Sequence, residues 1–238
     1  MPALTVHETT SGRAGRRFEA IDERSLHEQA VAAASSLPGA AAGVLLIPEM
    51  TGPIGIPDFL AVVGGREWIA QRVASGIPAI TGELECAILA CLFPRRPRKA
   101  SSIATELQLA DSYVQGKLTA LARVGAVIPV GGSYTRAAAL TPGGTLYAIE
   151  AKLKDWRRGV RQARGYRTWV NNYVLVMGHV TERSRASLLK ELGSDKAGLY
   201  LDNGWIARPS PVPQPRRRRH LAFEYLAAAL MDSSPRLP

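Results

Sequence analysis

Strand-like segments stand on both sides of a long helical stretch, and this interruption constrains the fold more than any other feature of the sequence. Before residue 66, the patterns "AAGVLLIPEM" and "DFLAVVGG" predict two strands. From residue 145, "TLYAIEAK" and "NNYVLVM" predict two more, each followed by a helical pattern. The region between them predicts mainly helices. If that region is an insertion, the flanking segments form one discontinuous α/β domain.

The boundaries of this domain follow from composition and periodicity. Residues 1–18 are polar and contain Gly and Arg, which predicts a flexible N-terminus. A helix over 22–37, capped by Asp22, opens the domain. Near the end, "PSPVPQPRRRRH" predicts a basic linker and "LAFEYLAAALM" a closing helix. We therefore expect an α/β core at 19–65 and 145–238, with an insertion at 66–144.

Within the insertion, the predicted order is helix, helix, turn, helix and a hairpin around Gly131-Gly132. A serine is expected to cap the helix in "SSIATELQL", Asp111 to cap the next helix, and Gly125 to end it. Apolar residues at compatible spacings predict one small core: Ile103, Leu107, Leu109, Val114, Leu118, Leu121 and Val127.

This order resembles the winged helix-turn-helix family over about 60 residues, a family that binds DNA. The resemblance implies that "DSYVQGKLTALAR" is the recognition helix and that the hairpin is the wing. The alternative is a small helical subdomain that contacts only protein. The DNA-contacting candidates are Tyr113, Gln115, Lys117 and Arg123 on the helix, with Tyr134 and Arg136 on the wing.

The charge of the chain favours a polyanionic partner. The net charge is +10, mostly from arginine, whose planar fork matches phosphate oxygens. Crowded arginines on one helix repel one another, and a nearby phosphate backbone is a plausible compensation. A basic protein without such a partner remains the alternative. The crowded residues are Arg157, Arg158, Arg161, Arg164 and Arg167, and the run at 216–219 predicts either a further phosphate contact or a solvated linker.

Cysteine usage and hydropathy predict a soluble cytoplasmic protein. Cys86 and Cys91 have no further ligand residues nearby, so they predict buried apolar positions in a reducing compartment. The N-terminus lacks the apolar core of a signal peptide, and no apolar run approaches the roughly 20 residues that span a bilayer. We therefore expect no membrane contact.

Carboxylates from distant parts of the sequence meet if the strands on either side of the insertion pair. Asp58 opens one strand, and Glu150 lies in the next strand of the core. Two adjacent carboxylates repel, and a divalent cation usually relieves such an arrangement. Lys152 falls on the same strand face as Glu150, since side chains alternate faces. The alternative is a solvated strand with an incidental ion pair.

The sequence Gly55-Ile56-Pro57-Asp58, followed by Glu150-Ala151-Lys152, resembles the PD-(D/E)xK nuclease superfamily. The pair Gln162 and Tyr166 on the next helix is similar to the branch that contains the nuclease domains of recombination helicase-nucleases. The resemblance covers about 20–60 and 145–205, and it departs from the usual pattern by some 90 residues between the two motifs. It implies a restriction-endonuclease-like α/β fold, a mixed sheet flanked by helices, with an inserted winged-helix subdomain.

The resemblance also implies the roles of the residues. Asp58 and Glu150, with the Ala151 carbonyl, hold one or two Mg²⁺ or Mn²⁺ ions, and Lys152 positions or activates the attacking water. Gln162 and Tyr166 support the site. An acid of the first helix assists a metal, with Glu28 the best fit and Glu23 second. The alternatives are a turn-capping Asp, a surface Glu and a polar helix face.

These expectations together predict a metal-dependent nuclease that hydrolyses DNA phosphodiester bonds, with DNA docked by the winged helix. The alternative is a catalytically silent DNA-binding regulator, or one subunit of a repair, transposition or defence complex. A homodimer or a larger nucleoprotein complex is compatible with either function.

Overall fold

A seven-stranded mixed sheet is the centre of the first of two structural units. The computed structural model describes residues 4–6 and 26–232. Among them, the first unit contains 4–6, 26–66, 144–214 and 232, and the second contains 67–143 and 215–231. Each unit is therefore built from more than one segment of the chain.

The strands of the first unit come from both sides of the interruption. They are β1 (Leu4–Val6), β2 (Val44–Pro48), β3 (Phe59–Val63), β6 (Thr145–Lys152), β7 (Asn172–Met177), β8 (Gly198–Leu201) and β9 (Gly204–Ala207), and they lie side by side in that order. The pairs β1–β2, β6–β7 and β7–β8 are parallel, and the other three are antiparallel. The predicted α/β class with a mixed sheet is confirmed.

The pairing of β3 with β6 is the contact on which the predicted site depends, and it is confirmed. The two strands run antiparallel, with Phe59 opposite Ile149 and Val63 opposite Thr145. Their direct hydrogen bonding joins segments that are more than 80 residues apart in sequence. The helical stretch between them therefore interrupts the chain and leaves the sheet continuous.

Helices α1 (His27–Ser35), α6 (Trp156–Tyr166) and α7 (Glu182–Asp195) belong to the same unit, with a short 3₁₀ turn at Ala40–Ala42. Alanines of α1 pack on the face of the sheet that carries Tyr147, Ile149 and Ala151. On α6, Gly159 lies against Leu175 and Lys152, whose side chains alternate to the opposite face. The sheet thus has α1 on one face and α6 on the other.

The second unit contains five helices and a two-stranded sheet. Its elements are α2 (Arg66–Ala74), α3 (Glu83–Cys91), α4 (Ala100–Leu107), α5 (Asp111–Arg123), β4 (Val127–Val130), β5 (Ser133–Arg136), a 3₁₀ turn at Ala138–Leu140, and α8 (Arg216–Asp232). The strands β4 and β5 form the predicted hairpin around Gly131-Gly132. The predicted core is confirmed, since five of its members are buried together while Leu107 and Leu109 pack against them.

The predicted burial of the two cysteines is confirmed as well. Cys86 and Cys91 are free thiols buried in α3. Burial raises the pKa of the Cys86 thiol to about 12 and that of the Cys91 thiol to about 11. Both thiols therefore stay protonated at neutral pH, as is usual for inert packing residues.

Several local predictions are wrong. Residues 4–6 of the expected flexible N-terminus form β1, and "REWIAQRVA" forms the unpredicted α2. The first helical residues of α4 and α5 are Ala100 and Asp111, so neither helix has a side-chain cap. The prediction that Gly125 ends α5 is confirmed, since Gly125 follows the helix with φ of 77°. Asp22 and Glu23 lie outside the described residues, so their predicted roles stay predictions.

The closing helix is a further correction, because α8 groups with the second unit rather than with the core. Its Glu224 forms a nearly fully buried ion pair of 2.7 Å with Arg72 of α2 and accepts a hydrogen bond from the Ile80 N–H. Phe223 meets Trp68 edge to face. The basic run at 216–219 starts this helix, so it is not the predicted linker.

Within 4–6 and 26–232, no helix has the length and apolar character needed to cross a membrane.

Candidate active site

Asp58 and Glu150 lie next to each other on neighbouring strands. Continuing the register of β3 and β6 by one residue places Asp58 directly opposite Glu150. The Asp58 carboxylate accepts a hydrogen bond of 2.7 Å from the Ala151 N–H, which fixes its position against β6. Asp58 is 5 % exposed and Glu150 is completely buried. The structure therefore brings together the two acids that the sequence predicted as neighbours.

Lys152 supplies the positive charge of this site. Its Nζ lies 2.9 Å from Glu150 Oε1 and 3.8 Å from Asp58 Oδ2. The same ammonium donates a hydrogen bond of 2.9 Å to the Ala151 carbonyl oxygen. One buried ammonium group is thus shared between two buried carboxyl groups.

The alternation of side chains along β6 explains how the site faces α6. Tyr147, Ile149 and Ala151 point into the apolar core beneath α1, as Phe59 does on the neighbouring strand. The intervening residues of both strands point to the opposite face. The charged side chains therefore stay out of the apolar core and face the polar residues of α6.

The C-terminal end of α6 holds both Glu150 and the loop before Asp58. The Tyr166 hydroxyl lies 3.1 Å from Glu150 Oε2 and 3.0 Å from the Ile56 carbonyl oxygen. Just beyond α6, Trp169 Nε1 donates a hydrogen bond of 3.0 Å to the Ile54 carbonyl. Two aromatic side chains thus position the loop that leads to Asp58, and one of them touches the buried Glu150.

Two glycines allow α6 to lie close to the loop before Asp58 and to the sheet. Neither was predicted as a site residue. A Cβ on Gly55, where φ is 73°, would lie 2.9 Å from a ring carbon of Tyr166. A Cβ on Gly159 would lie 2.6 Å from Leu175 and 3.0 Å from the Cγ of Lys152. A glycine inside an amphipathic helix lowers the stability of the helix, and its presence usually has a packing reason. Gly159 could therefore have indicated a close contact between α6 and the sheet.

Gln162 lies on the same face of α6, between Gly159 and Tyr166. The spacings of three and four residues place it one turn from each of them. Its side chain is half-buried, and its Oε1 is buried without a hydrogen-bond partner among the residues that the structure describes. Gln162 therefore lies on the face of α6 that packs on the sheet, and its buried Oε1 has room in its bonding for one donor.

Glu28 is not part of this cluster. It is exposed on α1, the helix that covers the opposite face of the sheet. Across 4–6 and 26–232, no group of three or more His, Cys, Asp and Glu side chains is arranged to hold a metal ion. The prediction of Glu28 as a metal ligand is therefore wrong for this conformation, because its helix packs on the far face.

The remaining oxygen donors are nevertheless of the kind that Mg²⁺ and Mn²⁺ take. Mg²⁺ is usually bound through one or two carboxylates, with waters completing its shell. Asp58 and Glu150 supply two carboxylates on one face, and the Ala151 carbonyl, a further oxygen donor, belongs to the residue that follows Glu150 and whose N–H binds Asp58. The donor set therefore fits one such cation if the Lys152 ammonium moves aside.

The arginines of α6 divide into two groups. Arg157, Arg158 and Arg161 are exposed, and Arg157 stacks on the Trp156 ring at 4.9 Å. Arg164, in contrast, forms ion pairs with Glu191 and with Asp195, the latter at 2.6 Å. Acidic side chains of α7 therefore compensate the C-terminal part of the arginine cluster, which weakens the case for Arg164 as a phosphate contact.

The predicted DNA contacts of the second unit differ in their surroundings. Arg136 is 6 % exposed and donates to the Leu89 carbonyl, so its prediction as an exposed wing contact is wrong. Lys117 forms an ion pair of 2.7 Å with Glu85, which raises the pKa of Lys117 and lowers that of Glu85. Gln115 donates to the half-buried Tyr134 hydroxyl, while Tyr113 and Arg123 are exposed.

Comparisons of the chain with family models, with curated proteins and with solved structures find no match in any of the three. The function is therefore argued from the geometry of the site and from the charge of the chain.

Proposed function

We propose that this protein is a metal-dependent deoxyribonuclease of PD-(D/E)xK type. The observation that carries the proposal is the buried Asp58–Lys152–Glu150 cluster on paired strands. Burying ionised groups costs several kcal/mol for each ion, and a hydrophobic replacement is often as stable. A buried cluster of acids and a lysine is therefore more typical of a functional site than of a structural support.

Each residue of the cluster has a role in phosphodiester hydrolysis. Asp58, Glu150 and the Ala151 carbonyl would hold one Mg²⁺ or Mn²⁺, which supplies Lewis-acid stabilisation of phosphate oxygens and a bound water. Lys152 is within reach of both acids, so its ammonium can orient a water or stabilise charge that develops on the phosphate. Tyr166 holds Glu150, and Gln162 Oε1 would accept a hydrogen bond from a bound water.

The architecture supports the same proposal. A mixed sheet with α1 on one face and α6 on the other, with the acids on neighbouring strands, is what a restriction-endonuclease-like core requires. In the second unit, α3, α4, α5 and the hairpin follow the order of a winged helix. We infer that this unit docks DNA while the first unit cuts it, and that Arg157, Arg158 and Arg161 contact phosphates.

The test is cleavage of supercoiled and linear DNA in Mg²⁺ or Mn²⁺. We expect Glu150→Gln and Lys152→Ala to lower the rate at least about 100-fold, the scale for removing one acid–base or electrostatic group. The matched control is Lys154→Ala, because Lys154 is exposed and lies only two residues beyond Lys152. Cleavage that persists in both site variants would sink the assignment.

One observation favours a second function, a silent DNA-binding regulator or a subunit of a larger complex. Lys152 already contacts both acids and the Ala151 carbonyl, so the cluster is partly neutralised without a metal. DNA binding without cleavage in any divalent metal, together with no change in melting temperature on adding Mn²⁺, would favour this second function.

A further inference from the structure

Two basic segments of the second unit lie together. One is the loop at 94–99, and the other is the first turn of α8 at 216–219; we call them together the arginine surface. The guanidinium of Arg216 lies 5.0 Å from the ring centre of Phe93, which directly precedes the loop. An open pocket of about 500 Å³ is lined by Arg216, Arg217 and Arg218 together with residues of α3 and α4.

The arginine surface carries a large excess of positive charge. Its exposed cations are Arg95, Arg96, Lys99, Arg216, Arg217 and Arg218. The carboxylate that lines the pocket is Glu106, and Arg98 of the loop already pairs with it at 2.7 Å. The pairing lowers the pKa of Glu106, which keeps this acid ionised and engaged. Exposed arginines of the surface are thus left for an outside anion.

The position of the arginines in α8 is unfavourable for the isolated protein. The amino terminus of a helix carries partial positive charge, and acidic side chains are stabilising there. The first turn of α8 contains four arginines and no acid. A bound polyanion offsets both the repulsion among these arginines and their repulsion from the helix terminus.

A buried cation adds to this imbalance. Arg136 donates to the Leu89 carbonyl, contacts His220 of α8 and reaches Thr141, yet no carboxylate lies within ion-pair distance of it in the described residues. Its Nε is buried without a hydrogen-bond partner in the same part of the chain. Burial and the nearby Arg216 lower the pKa of Arg136 to about 10. Positive charge is therefore uncompensated both inside and outside this part of the unit.

The predicted recognition helix, α5, carries much less positive charge than the arginine surface. Of its two cations, Lys117 is paired with Glu85, and Asp111 in the first turn reduces the net charge of the helix to one positive charge. Helix α5 and the arginine surface thus differ in net charge by several units. Sequence-independent affinity for nucleic acid follows the number of phosphates that cations neutralise.

We propose that the arginine surface, rather than α5, binds the phosphodiester backbone and supplies most of the affinity of the second unit for DNA. The proposal rests on the nucleic-acid partner of the proposed function, and it assigns that interaction to the loop at 94–99 and to the start of α8. Arginine outnumbers lysine on this surface, and its planar fork binds phosphate oxygens in pairs, which favours a phosphate polymer.

The experiment measures binding of the whole protein to a short fluorescent duplex in EDTA at several salt concentrations. The first variant combines Arg216→Gln, Arg217→Gln and Arg218→Gln in one protein. We expect it to bind the duplex at least about 10-fold more weakly at physiological salt. The slope of log K against log salt is negative, and its magnitude should decrease by about 0.9 for each phosphate that is no longer neutralised. Arg95→Gln/Arg96→Gln, placed in a loop, gives the same effect on a smaller scale without touching a helix. The matched control is Lys117→Gln/Arg123→Gln on α5, which removes two charges and keeps a slope close to that of the unmodified protein.

Two results would overturn the proposal. One is a wild-type slope in both arginine-surface variants together with a reduced slope in the α5 variant. The other is arginine-dependent binding to phosphatidylserine vesicles without binding to the duplex, which would make the surface a membrane contact. Because EDTA prevents cleavage, the two proposals fail separately. If the protein cuts DNA but the arginine-surface variants bind the duplex like the unmodified protein, only this inference fails. If those variants have salt slopes of smaller magnitude but the unmodified protein cuts DNA in no divalent metal, only the nuclease proposal fails.

Discussion

The Tyr166 hydroxyl lies 3.1 Å from Glu150 Oε2 in the first unit. The same hydroxyl reaches the Ile56 carbonyl, so one side chain joins α6, β6 and the loop before Asp58. A hydroxyl has a single proton and donates to one acceptor at a time. One hydroxyl group therefore serves both Glu150 and the loop before Asp58, donating to one of the two oxygens at a time.

The first prediction concerns this hydroxyl. Tyr166→Phe keeps the ring against Gly55 but removes the donor from a buried carboxylate, so we expect a loss of about 1–3 kcal/mol in the free energy of unfolding. We also expect slower DNA cleavage, with a larger effect on kcat than on KM. Denaturant unfolding and steady-state kinetics measure the two effects. Tyr225→Phe, at a half-buried tyrosine of α8, is the control, and equal losses in both variants would contradict a special role of Tyr166.

A second prediction uses two glycines with opposite expected outcomes. Gly55→Ala forces a Cβ to 2.9 Å from Tyr166 at a φ of 73°, so it should destabilise the protein by more than about 1 kcal/mol and lower cleavage. Gly165→Ala lies within α6 with no atom within 4 Å of the new Cβ, and it should stabilise by up to about 1 kcal/mol. Thermal melting of the two variants measures the difference. Similar melting temperatures for both would be inconsistent with the described loop conformation.

The third prediction concerns the buried pair of Arg72 and Glu224. Arg72→Met leaves the Glu224 carboxylate buried with only the Ile80 N–H as a partner, which should cost about 3–5 kcal/mol. Arg72→Met/Glu224→Gln removes both charges but keeps an acceptor for that N–H, so it should recover much of the loss. Denaturant unfolding of the two variants and the unmodified protein measures the loss of stability and its recovery. A double variant as unstable as the single one would mean that charge burial is not the cause.

The fourth prediction concerns acid stability. Burial and the nearby Arg136, Arg219 and Arg216 lower the pKa of His220 to about 3. The folded protein therefore holds His220 neutral while the unfolded chain takes up a proton below pH 6.5, so stability falls as the pH falls through that range. Between pH 6.5 and 5.5 this linkage amounts to about 1 kcal/mol.

His220→Gln should remove that part of the pH dependence. The measurement is the free energy of unfolding at pH 6.5 and 5.5 for both proteins, in a window above the ordinary pKa of most carboxylates. Identical pH dependence in the two proteins would show that His220 is not held neutral.

The candidate site was predictable because its signals are local and its geometry is regular. Asp58 and Glu150 each lie at a strand, and strand alternation puts Lys152 on the same face as Glu150. Without the interrupting helices the two strands are consecutive in the chain, which predicts that they pair. Tyr166 was named through the resemblance of its pair with Gln162 to a nuclease branch, and the spacing of four residues puts both side chains on one helical face.

Other features depend on interactions that the sequence does not encode locally. The residues that α2 buries are Trp68 and Arg72, and Arg72 is buried through an ion pair with a partner 152 positions away in the sequence. Strand β1 has three residues, too few for a periodic signal, and it is stabilised by pairing with β2. Arg136 resembles an exposed wing residue until α8 brings His220 beside it.

The late position of α8 has a consequence for biosynthesis. Residues 67–143 emerge from the ribosome long before 215–231, yet Arg72 and Trp68 find their partners only on the later segment. During synthesis the early part of the second unit therefore has an unpaired guanidinium and exposed apolar side chains while the sheet of the first unit completes. Incompletely folded units of this kind are prone to aggregate. The yield of soluble protein should therefore rise with chaperone supply more than is usual for a chain of this size.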